Sequence, residues 1–395
     1  MGRPEIRFKG YTDEWEQRKV GELLEERNEQ APMSEDYPLM AFIANQGVAP
    51  KGERYDRSAL VNDETGKKYK RTEFGDFIYS SNNLETGSIG LNKYGNACIS
   101  PVYSIFKPTG KAELDFLGRR FLRKDFINEM VRWRQGVVYG QWKIHETDFM
   151  KIEVRIPSID EQKKIGQYFD SLDNLITLHQ RKCDEVKSLK KYMLQKMFPQ
   201  NEQKVPEIRF EGFTEAWEQR KLGDVFKEYS EKNHTELSAL TIIQGGGTVK
   251  REESDRNLMY DESNLSNYKM VRKNDFIVHL RSFEGGLEKS SLDGIISPAY
   301  HTFHSDVADS RFYYSYFRSH EFIKHKLVPH VYGIRDGRSI DITGMKTIEI
   351  PYTSMEEQRK IGDYLEFLDH LITLHQQKCE ELKKIKKFML QKMFV

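Results

Sequence analysis

The sequence is poor in cysteine and in long apolar runs. Its three cysteines, Cys98, Cys183 and Cys379, cannot form the disulfide framework of a secreted domain, and so few thiols suit a reducing compartment. No stretch approaches the ~18 apolar residues that a membrane-spanning helix needs, and the first residues lack the apolar core of a signal peptide. These absences predict a cytoplasmic protein that has no contact with a membrane.

An excess of one charge sign is also missing. The chain has 62 Lys and Arg residues against 61 Asp and Glu, which leaves a net charge of +1. A strongly basic composition would by itself have indicated nucleic-acid binding. Any basic surface must instead be local. The length of 395 residues leaves room for two to four domains.

The motifs of common enzymes are absent. The sequence contains no Walker A loop, no G-x-G-x-x-G at a strand–helix turn, no G-x-S-x-G elbow and no H-E-x-x-H pair. An adenine amino-methyltransferase would carry an Asn/Asp-Pro-Pro-aromatic motif, and the chain has no Pro-Pro dipeptide. The glycines of GGGT (245–248) favour a flexible loop over a phosphate cradle. We therefore expect no catalytic residue and no cofactor-binding residue in this chain.

Two segments of the sequence occur twice. The opening segment 4–26 returns at 206–228, and segment 161–198 returns at 357–394, where 26 of 38 positions are identical. Repetition of whole segments indicates a duplicated architecture.

The stretches between the repeats have diverged. Residues 27–155 and 229–349 share only short echoes, such as GDFIYS (75–80) against NDFIVH (274–279). Each stretch combines short β-rich runs with a helical pattern, which predicts a globular domain of the α/β (α+β) class. We infer that the repeated flanks contact the same partner twice, whereas the two middles contact different partners.

The repeats at 161–198 and 357–394 have the pattern of long helices. Each is preceded by a capping box, Ser158-x-x-Glu161 or Ser354-x-x-Glu357. Apolar residues then recur with heptad spacing, which predicts two long antiparallel helices that pair as a coiled coil. The predicted helix-packing residues are Ile165, Phe169, Leu172, Ile176, His179, Cys183, Val186, Ile361, Leu365, Leu368, Ile372, His375, Cys379 and Leu382.

A histidine and a cysteine stand four residues apart in each helix, at His179 and Cys183 and at His375 and Cys379. If the helices pair about a two-fold axis, the four side chains could converge as a tetrahedral zinc set. Cysteine also packs as a small hydrophobe, and two histidines can hydrogen-bond across a seam. No carboxylate stands three or four residues from either histidine, where it could orient the ring as a ligand. We therefore expect packing and no metal site.

Basic residues alternate with aromatic and amide residues in both middles. Arginine and the amides read base edges in pairs, whereas lysine mostly contacts phosphates. An ordinary solvated surface has the same composition, so only the group as a whole indicates DNA. The candidate DNA-binding residues are Lys67, Lys68, Tyr69, Lys70, Arg71, Arg132, Arg134, Gln141, Lys143, Lys250, Arg251, Lys269, Arg272, Arg281, Arg335 and Arg338.

The order of these parts resembles the specificity subunit of type I restriction-modification enzymes. The motifs that carry the resemblance are IPSIDEQKKIG (156–166) and IPYTSMEEQRKIG (350–362), together with LITLHQ and LQKMF in both helices. The resemblance covers essentially the whole chain. It implies a first target recognition domain at 1–157, a spacer helix at 158–199, a second recognition domain at 200–351 and a second spacer helix at 352–395.

The resemblance also implies a division of labour. Each recognition domain would read one half of a bipartite, asymmetric site in double-stranded DNA, and the helices would set the gap and dock two methyltransferase subunits. S-adenosylmethionine, ATP and Mg²⁺ would bind to partner subunits, including the restriction subunits, and this chain would hold no cofactor and no metal. Two alternatives remain: a coiled-coil adaptor with two protein-binding heads, and the specificity subunit of a methylation-only system.

Overall fold

The computed structural model describes residues 2–50, 67–137, 140–200, 203–254, 262–333 and 338–395. The chain divides into two compact units. Unit 1 comprises Met1–Thr177 and Cys379–Val395, and unit 2 comprises Leu178–Lys378. None of the helices in these described ranges is long and apolar enough to cross a membrane.

Two helices of 38 residues each dominate the secondary structure, Ile159–Lys196 and Met355–Lys392. They confirm the predicted long helices, and each begins within a residue of its predicted capping serine. Each helix contributes one segment to each unit, because the boundaries between the units fall inside both helices.

Unit 1 is built from short strands and short helices around one end of each long helix. Its strands are Glu16–Lys19, Leu24–Glu26, Gln30–Ala31, Ala41–Ile43, Gly47–Ala49, Tyr69–Thr72, Phe77–Tyr79, Ile89–Leu91, Ala97–Ile99, Ser104–Pro108, Gln135–Val137, Gln141–Lys143 and Glu153–Ile156. Its short helices are Val20–Leu23, Leu114–Phe121, Lys124–Arg132 and Glu146–Phe149.

Unit 2 repeats this composition. Its strands are Glu218–Lys221, Lys227–Tyr229, Leu240–Ile243, Gly247–Lys250, Lys269–Val271, Phe276–Val278, Glu288–Lys289, Gly294–Ile296, His301–His304, Val331–Tyr332, Ser339–Ile340 and Glu349–Tyr352. Its short helices are Leu222–Val225, Ser282–Gly285, Ser310–Phe317 and Ile342–Lys346, with a π-helix at Glu321–Leu327 and 3₁₀ turns at Arg251–Glu253, Glu262–Asn267 and Val328–His330.

The central sheet has the same topology in both units. In unit 1 the sheet is antiparallel, and its strands lie in the order Leu24–Glu26, Ser104–Pro108, Phe77–Tyr79 and Ile89–Leu91. Phe276–Val278 has the equivalent place in unit 2, between His301–His304 and Glu288–Lys289. The duplicated mixed α/β architecture is therefore confirmed, although the middles share little sequence.

The repeated LQKMF segment completes the aromatic core of each unit. In unit 1, the ring of Phe394 stacks on Phe116, with the centroids 5.3 Å apart, and meets Trp15 edge-on. In unit 2, Phe198 lies 4.8 Å from Phe312 and meets Trp217 edge-on. Burial of one such ring contributes about 1.5–3 kcal/mol, so each helix end holds the core of a unit together.

The repeated Glu-Gln pair ties each long helix to its unit. Glu161 accepts two hydrogen bonds from the guanidinium of Arg7, both at 2.7 Å, and Glu357 accepts two from Arg209 at 2.6 and 2.8 Å. Only the serine half of each predicted capping box forms. The hydroxyl of Ser158 accepts from the amide of Glu161 at 3.5 Å, whereas the Glu161 carboxylate binds Arg7 and does not return to the helix start.

The glutamine of the pair anchors the next helix. The Gln162 side chain accepts from the amide of Glu113, the N-cap of the helix Leu114–Phe121, at 2.9 Å. Gln358 accepts from the amide of Asp309, the N-cap of Ser310–Phe317, at 3.0 Å. The Glu-Gln pair is therefore identical in the two repeats because it makes the same contacts in both units.

Candidate nucleic-acid interface

In unit 1, a loop and a strand pair come together and present exposed polar side chains. We call residues 80–87, 134–137 and 140–143 surface 1. The amide of Trp142 donates to the Asn82 side-chain oxygen at 2.7 Å, and the amide of Ile144 donates to the Ser81 hydroxyl at 3.0 Å. These bonds fix the strand Gln141–Lys143 against the loop.

The predicted candidates Arg134, Gln141 and Lys143 meet on surface 1, but they differ in exposure. The side chain of Arg134 is only 10% exposed and donates to Glu85 at 2.9 Å. Gln141 and Lys143 are exposed, as is Trp142, which is 49% exposed. Arg134 therefore holds the loop in place, while its neighbours face solvent.

The corresponding part of unit 2 is surface 2, which comprises residues 279–286, 330–333 and 338–340. The guanidinium of Arg338 lies over the ring of Phe283 at 4.9 Å, which joins the loop to the strand pair. Arg281 and Tyr332 are exposed. The predicted candidates Arg281 and Arg338 therefore belong to one surface, and Arg335 lies outside the described residues.

The candidates around Tyr69–Thr72 are divided between solvent and interior. Lys67 and Lys68 are exposed, whereas Tyr69 and Lys70 are buried. The Lys70 ammonium donates to the carbonyl of Tyr103 at 3.0 Å, and burial lowers its pKa. Arg71 pairs with Glu29 at 2.7 Å and stacks on the Tyr37 ring. Only Lys67 and Lys68 of this group project into solvent.

Unit 2 has the same arrangement at Lys269–Val271. The Lys269 ammonium donates to the carbonyl of Tyr300 at 2.6 Å, and burial lowers its pKa. Arg272 pairs with Glu231 at 2.6 Å and lies over the Tyr229 ring. The remaining candidates Lys250 and Arg251 are half-buried, and Arg251 lies 5.7 Å from the ring of Tyr268. In unit 1, Arg132 is exposed and pairs with Glu129 along its own helix.

The predicted helix-packing residues differ in their burial. Nine are buried, namely Ile165, Phe169, Leu172, Cys183, Ile361, Leu365, Leu368, Cys379 and Leu382. Five are half-buried, namely Ile176, His179, Val186, Ile372 and His375.

Polar contacts run between the long helices within each unit. In unit 2, the Nδ1 atoms of His179 and His375 are 3.0 Å apart, and the Lys190 ammonium lies 2.5 Å from the Asp369 carboxylate. In unit 1, Lys386 pairs with Asp173 in the same way. The sequence held a signal for these ion pairs, because Lys190 and Lys386 interrupt the apolar heptads at equivalent positions.

The thiols of both helices face backbone carbonyls. The Sγ atom of Cys183 is 3.9 Å from the oxygen of Ile372, and Cys379 Sγ is 3.9 Å from the oxygen of Ile176. In the part of the chain that the structure describes, no three His, Cys, Asp or Glu side chains are placed to hold one metal ion.

The GGGT segment is a hairpin turn with its amides already occupied. The amides of Gly245 and Gly247 donate to the buried carboxylate of Glu288 at 2.7 and 3.2 Å, and the Tyr314 hydroxyl donates to it at 2.8 Å. A carboxylate therefore fills the place that a phosphate would take, which agrees with the expectation that GGGT is not a phosphate cradle.

Sequence reasoning missed Asn82 and Trp142. The segment SSNNLETG (80–87) begins where the β-rich run GDFIYS (75–80) ends, and such turn-rich segments after a strand commonly carry function. The location of this segment after a strand was the feature of the sequence that could have indicated a functional loop.

Comparisons with known proteins agree with this architecture. The sequence matches the protein family described as "Type I restriction modification DNA specificity domain" over residues 12–188 and 214–384. It is 23% identical over 401 residues to the type I restriction enzyme MjaVIII specificity subunit of Methanocaldococcus jannaschii, and the match covers 95% of this chain and 91% of that protein.

The fold is also similar to a solved structure. The type I restriction-modification S subunit from M. genitalium superimposes with a TM-score of 0.59 at 13% sequence identity, covering 100% of this chain and 99% of that one. At this identity the likeness concerns the fold alone.

Proposed function

The chain belongs to the type I restriction-modification DNA specificity family, and from this membership we propose that each unit reads one half of a bipartite, asymmetric DNA site. The observation that carries the proposal is the contrast between the two units. Their central sheets have the same topology, yet surface 1 and surface 2 expose different side chains. Two readers with one scaffold and different polar groups suit two different half-sites.

Exposed lysines of unit 1 would bind the phosphate backbone. In unit 1, Lys67, Lys68 and Lys143 are exposed, and the ammonium groups would neutralise phosphates without reading bases. The near-zero net charge of the chain agrees with a protein that has other surfaces for other partners.

The long helices would dock two copies of one methyltransferase subunit. Leu189 and Tyr192 of the first helix are exposed, and so are Ile385 and Phe388, their equivalents in the second repeat. Each pair is three residues apart and so lies on one helical face. Exposed apolar side chains that recur at equivalent positions fit two identical partners.

Catalysis would belong to the partner chains. A methyltransferase subunit would bind S-adenosylmethionine and methylate adenine, and a restriction subunit would use ATP and Mg²⁺ for translocation and cleavage. The target adenine must leave the base stack during methylation, so this chain would hold the duplex in register while a partner flips the base.

The helices would also set the distance between the half-sites. A helix of 38 residues is about 57 Å long, which corresponds to roughly 17 base pairs and is an upper limit for the separation of the two readers. We expect half-sites about one helical turn apart, so that both are read from nearly the same side of the duplex.

The decisive experiment maps N6-methyladenine across the genome of cells with and without this gene. We expect that one split motif loses its methylation when the gene is deleted. If no motif is lost, and the assembled protein shows no salt-dependent binding to duplex DNA, the chain is an adaptor and the proposal is wrong.

The docking face is tested by subunit counting. We expect Tyr192→Glu and Phe388→Glu each to reduce the methyltransferase subunits per chain from two to one, and the double variant to bind none. Val307→Glu is the control, because Val307 is similarly exposed but lies outside the long helices. Full stoichiometry in the double variant would rule out this face.

A further inference from the structure

Surface 1 is dominated by exposed amides. Gln135 and Gln141 are exposed, and so are Asn82 and Asn83 of the loop. Gln135 pairs in register with Lys143. Because side chains alternate along a strand, Gln135, Gln141 and Lys143 point to the same face of this strand pair.

The guanidinium group of surface 1 is withdrawn from solvent. Arg134 is nearly buried and paired with Glu85. The Asn82 oxygen is also engaged, because it accepts from the Trp142 amide. Asn82 and Arg134 are therefore positioning residues, whereas Gln141 is exposed on the face that also carries Lys143, and we take it as the amide that meets a base edge.

Surface 2 has the opposite chemistry. Its described residues include no Asn or Gln, and they expose Arg281 and Arg338. The Arg281 backbone is held in a turn: its amide donates to His279 Nδ1 at 3.3 Å, and its carbonyl accepts from the amide of Glu284 at 2.9 Å. No described residue pairs with the Arg281 side chain.

Each unit also has one amide side chain packed against a glycine of its surface loop, so this feature does not distinguish surface 1 from surface 2. Asn45 packs against Gly87 in unit 1, and Gln244 packs against Gly285 in unit 2. The contrast between the units therefore rests on Gln141 and its neighbours against Arg281 and Arg338.

These observations lead to an inference about base identity. An amide side chain makes two hydrogen bonds with adenine in the major groove, whereas an arginine makes two with guanine. We propose that unit 1 reads an A·T pair through Gln141 and that unit 2 reads a G·C pair through Arg281. The inference rests on the proposed function, and it assigns a base class to each unit.

The test uses the full chain assembled with its methyltransferase subunits and a library of random duplex DNA, from which bound sequences are selected and read. We expect Arg281→Gln to lose the preference for guanine at one position of one half-site by about ten- to a hundred-fold. Gln141→Ala should lose an A·T preference by a similar factor, and only in the other half-site.

A conservative variant separates base reading from phosphate binding. Arg281→Lys keeps the charge but not the planar two-pronged geometry, so we expect unchanged salt dependence with a weakened guanine preference. Lys324→Gln is the control, because Lys324 is exposed in unit 2 outside surface 2, and it should leave both half-sites intact. Thermal unfolding and subunit binding verify that each variant is folded.

The outcomes distinguish the two levels of the proposal. If the unaltered complex selects a split motif but neither variant changes it, or if both variants change the same half-site, the assignment of bases is wrong. If Arg281→Gln retains the guanine preference, Arg281 does not read that base. If the unaltered complex selects no sequence at all, the proposed function fails, and the inference fails with it.

Discussion

The glutamate of the Glu-Gln pair shows how a single residue fixes the position of a long helix. Glu357 is fully buried and accepts from Arg209, from the Trp217 indole at 3.0 Å and from the Thr353 hydroxyl. In unit 1, Glu161 binds Arg7, whereas the Trp15 indole has no partner among the described residues. The two glutamates therefore form the same ion pair with arginine, but only Glu357 also accepts a hydrogen bond from a tryptophan.

Removal of one member of this buried pair should be costly. We expect Arg209→Met to lower the free energy of unfolding by about 3–5 kcal/mol, because Glu357 would remain charged and buried. The double variant Arg209→Met/Glu357→Gln should recover part of the loss, since the amide still accepts from Trp217 without a net charge. Denaturant unfolding followed by Trp fluorescence measures both.

Arg181→Met is the matched control for that prediction. Arg181 pairs with Glu185 at an exposed site, where an ion pair contributes little. Equal destabilisation by Arg209→Met and Arg181→Met would show that the buried pair has no special role.

The burial of Lys70 separates two kinds of lysine within one short segment. Lys70 donates to a carbonyl in the interior, whereas Lys68 faces solvent. We expect Lys68→Gln to reduce the salt slope of DNA binding by about 0.9, and Lys70→Met to leave it unchanged. Titrations of duplex DNA at several salt concentrations give both slopes, and a reduced slope for Lys70→Met would mean that this ammonium reaches the phosphates.

At the scale of elements, the pair of long helices combines an apolar seam with a few polar contacts. The His179–His375 contact and the Lys190–Asp369 ion pair lie in the same helix pair of unit 2. Polar groups at seam positions specify register and orientation, at some cost in stability. The repeated LITLHQ segment is therefore explained by helix pairing.

The histidine contact makes the helix pair sensitive to pH. Burial lowers the pKa of His179, and His375, Lys182 and Lys378 add positive charge around it. A histidine with a lowered pKa binds fewer protons when folded, so the stability it contributes is present above its unfolded pKa of about 6.5 and is lost as the pH falls through that value.

We therefore expect the melting temperature of the protein to fall between pH 7.5 and pH 5.5 by more than that of the variant His179→Leu/His375→Leu. The variant must be compared with the parent protein because His304 also titrates. The hydrogen bond to Asp275 raises the pKa of His304, so this histidine adds stability as the pH falls, which opposes the effect of His179. His325→Gln, at an exposed site, should keep the parental pH dependence. An identical dependence in the leucine variant would exclude the histidine contact as its source.

At the scale of the whole molecule, the sequence predicted the duplication well and the surfaces poorly. Heptads and repeats report on regular structure, so the two long helices and the mixed α/β class were predictable. Whether a lysine faces water depends on strand pairing over long sequence separations, so Lys68 and Lys70 could not be told apart. The same limit applies to Phe198 and Phe394, whose places in the cores depend on contacts with distant tryptophans.

The spacer role of the helices is a property of the whole molecule, and it is tested by changing both helices together. Residues 176–182 and 372–378 are equivalent blocks of seven, and they contain the two histidines that contact each other. Deletion of both blocks keeps the heptad register and removes about 10 Å of helix. The gap between the half-sites should then shorten by about three base pairs.

Methylation mapping in cells that carry the doubly deleted gene measures the new gap. Deletion of one block alone is the control, because it leaves the two helices unequal in length and should abolish methylation. If the double deletion is active with an unchanged gap, the helices do not determine the spacing. If it is active with a shorter gap and unchanged half-site sequences, base reading and spacing reside in separate parts of the chain.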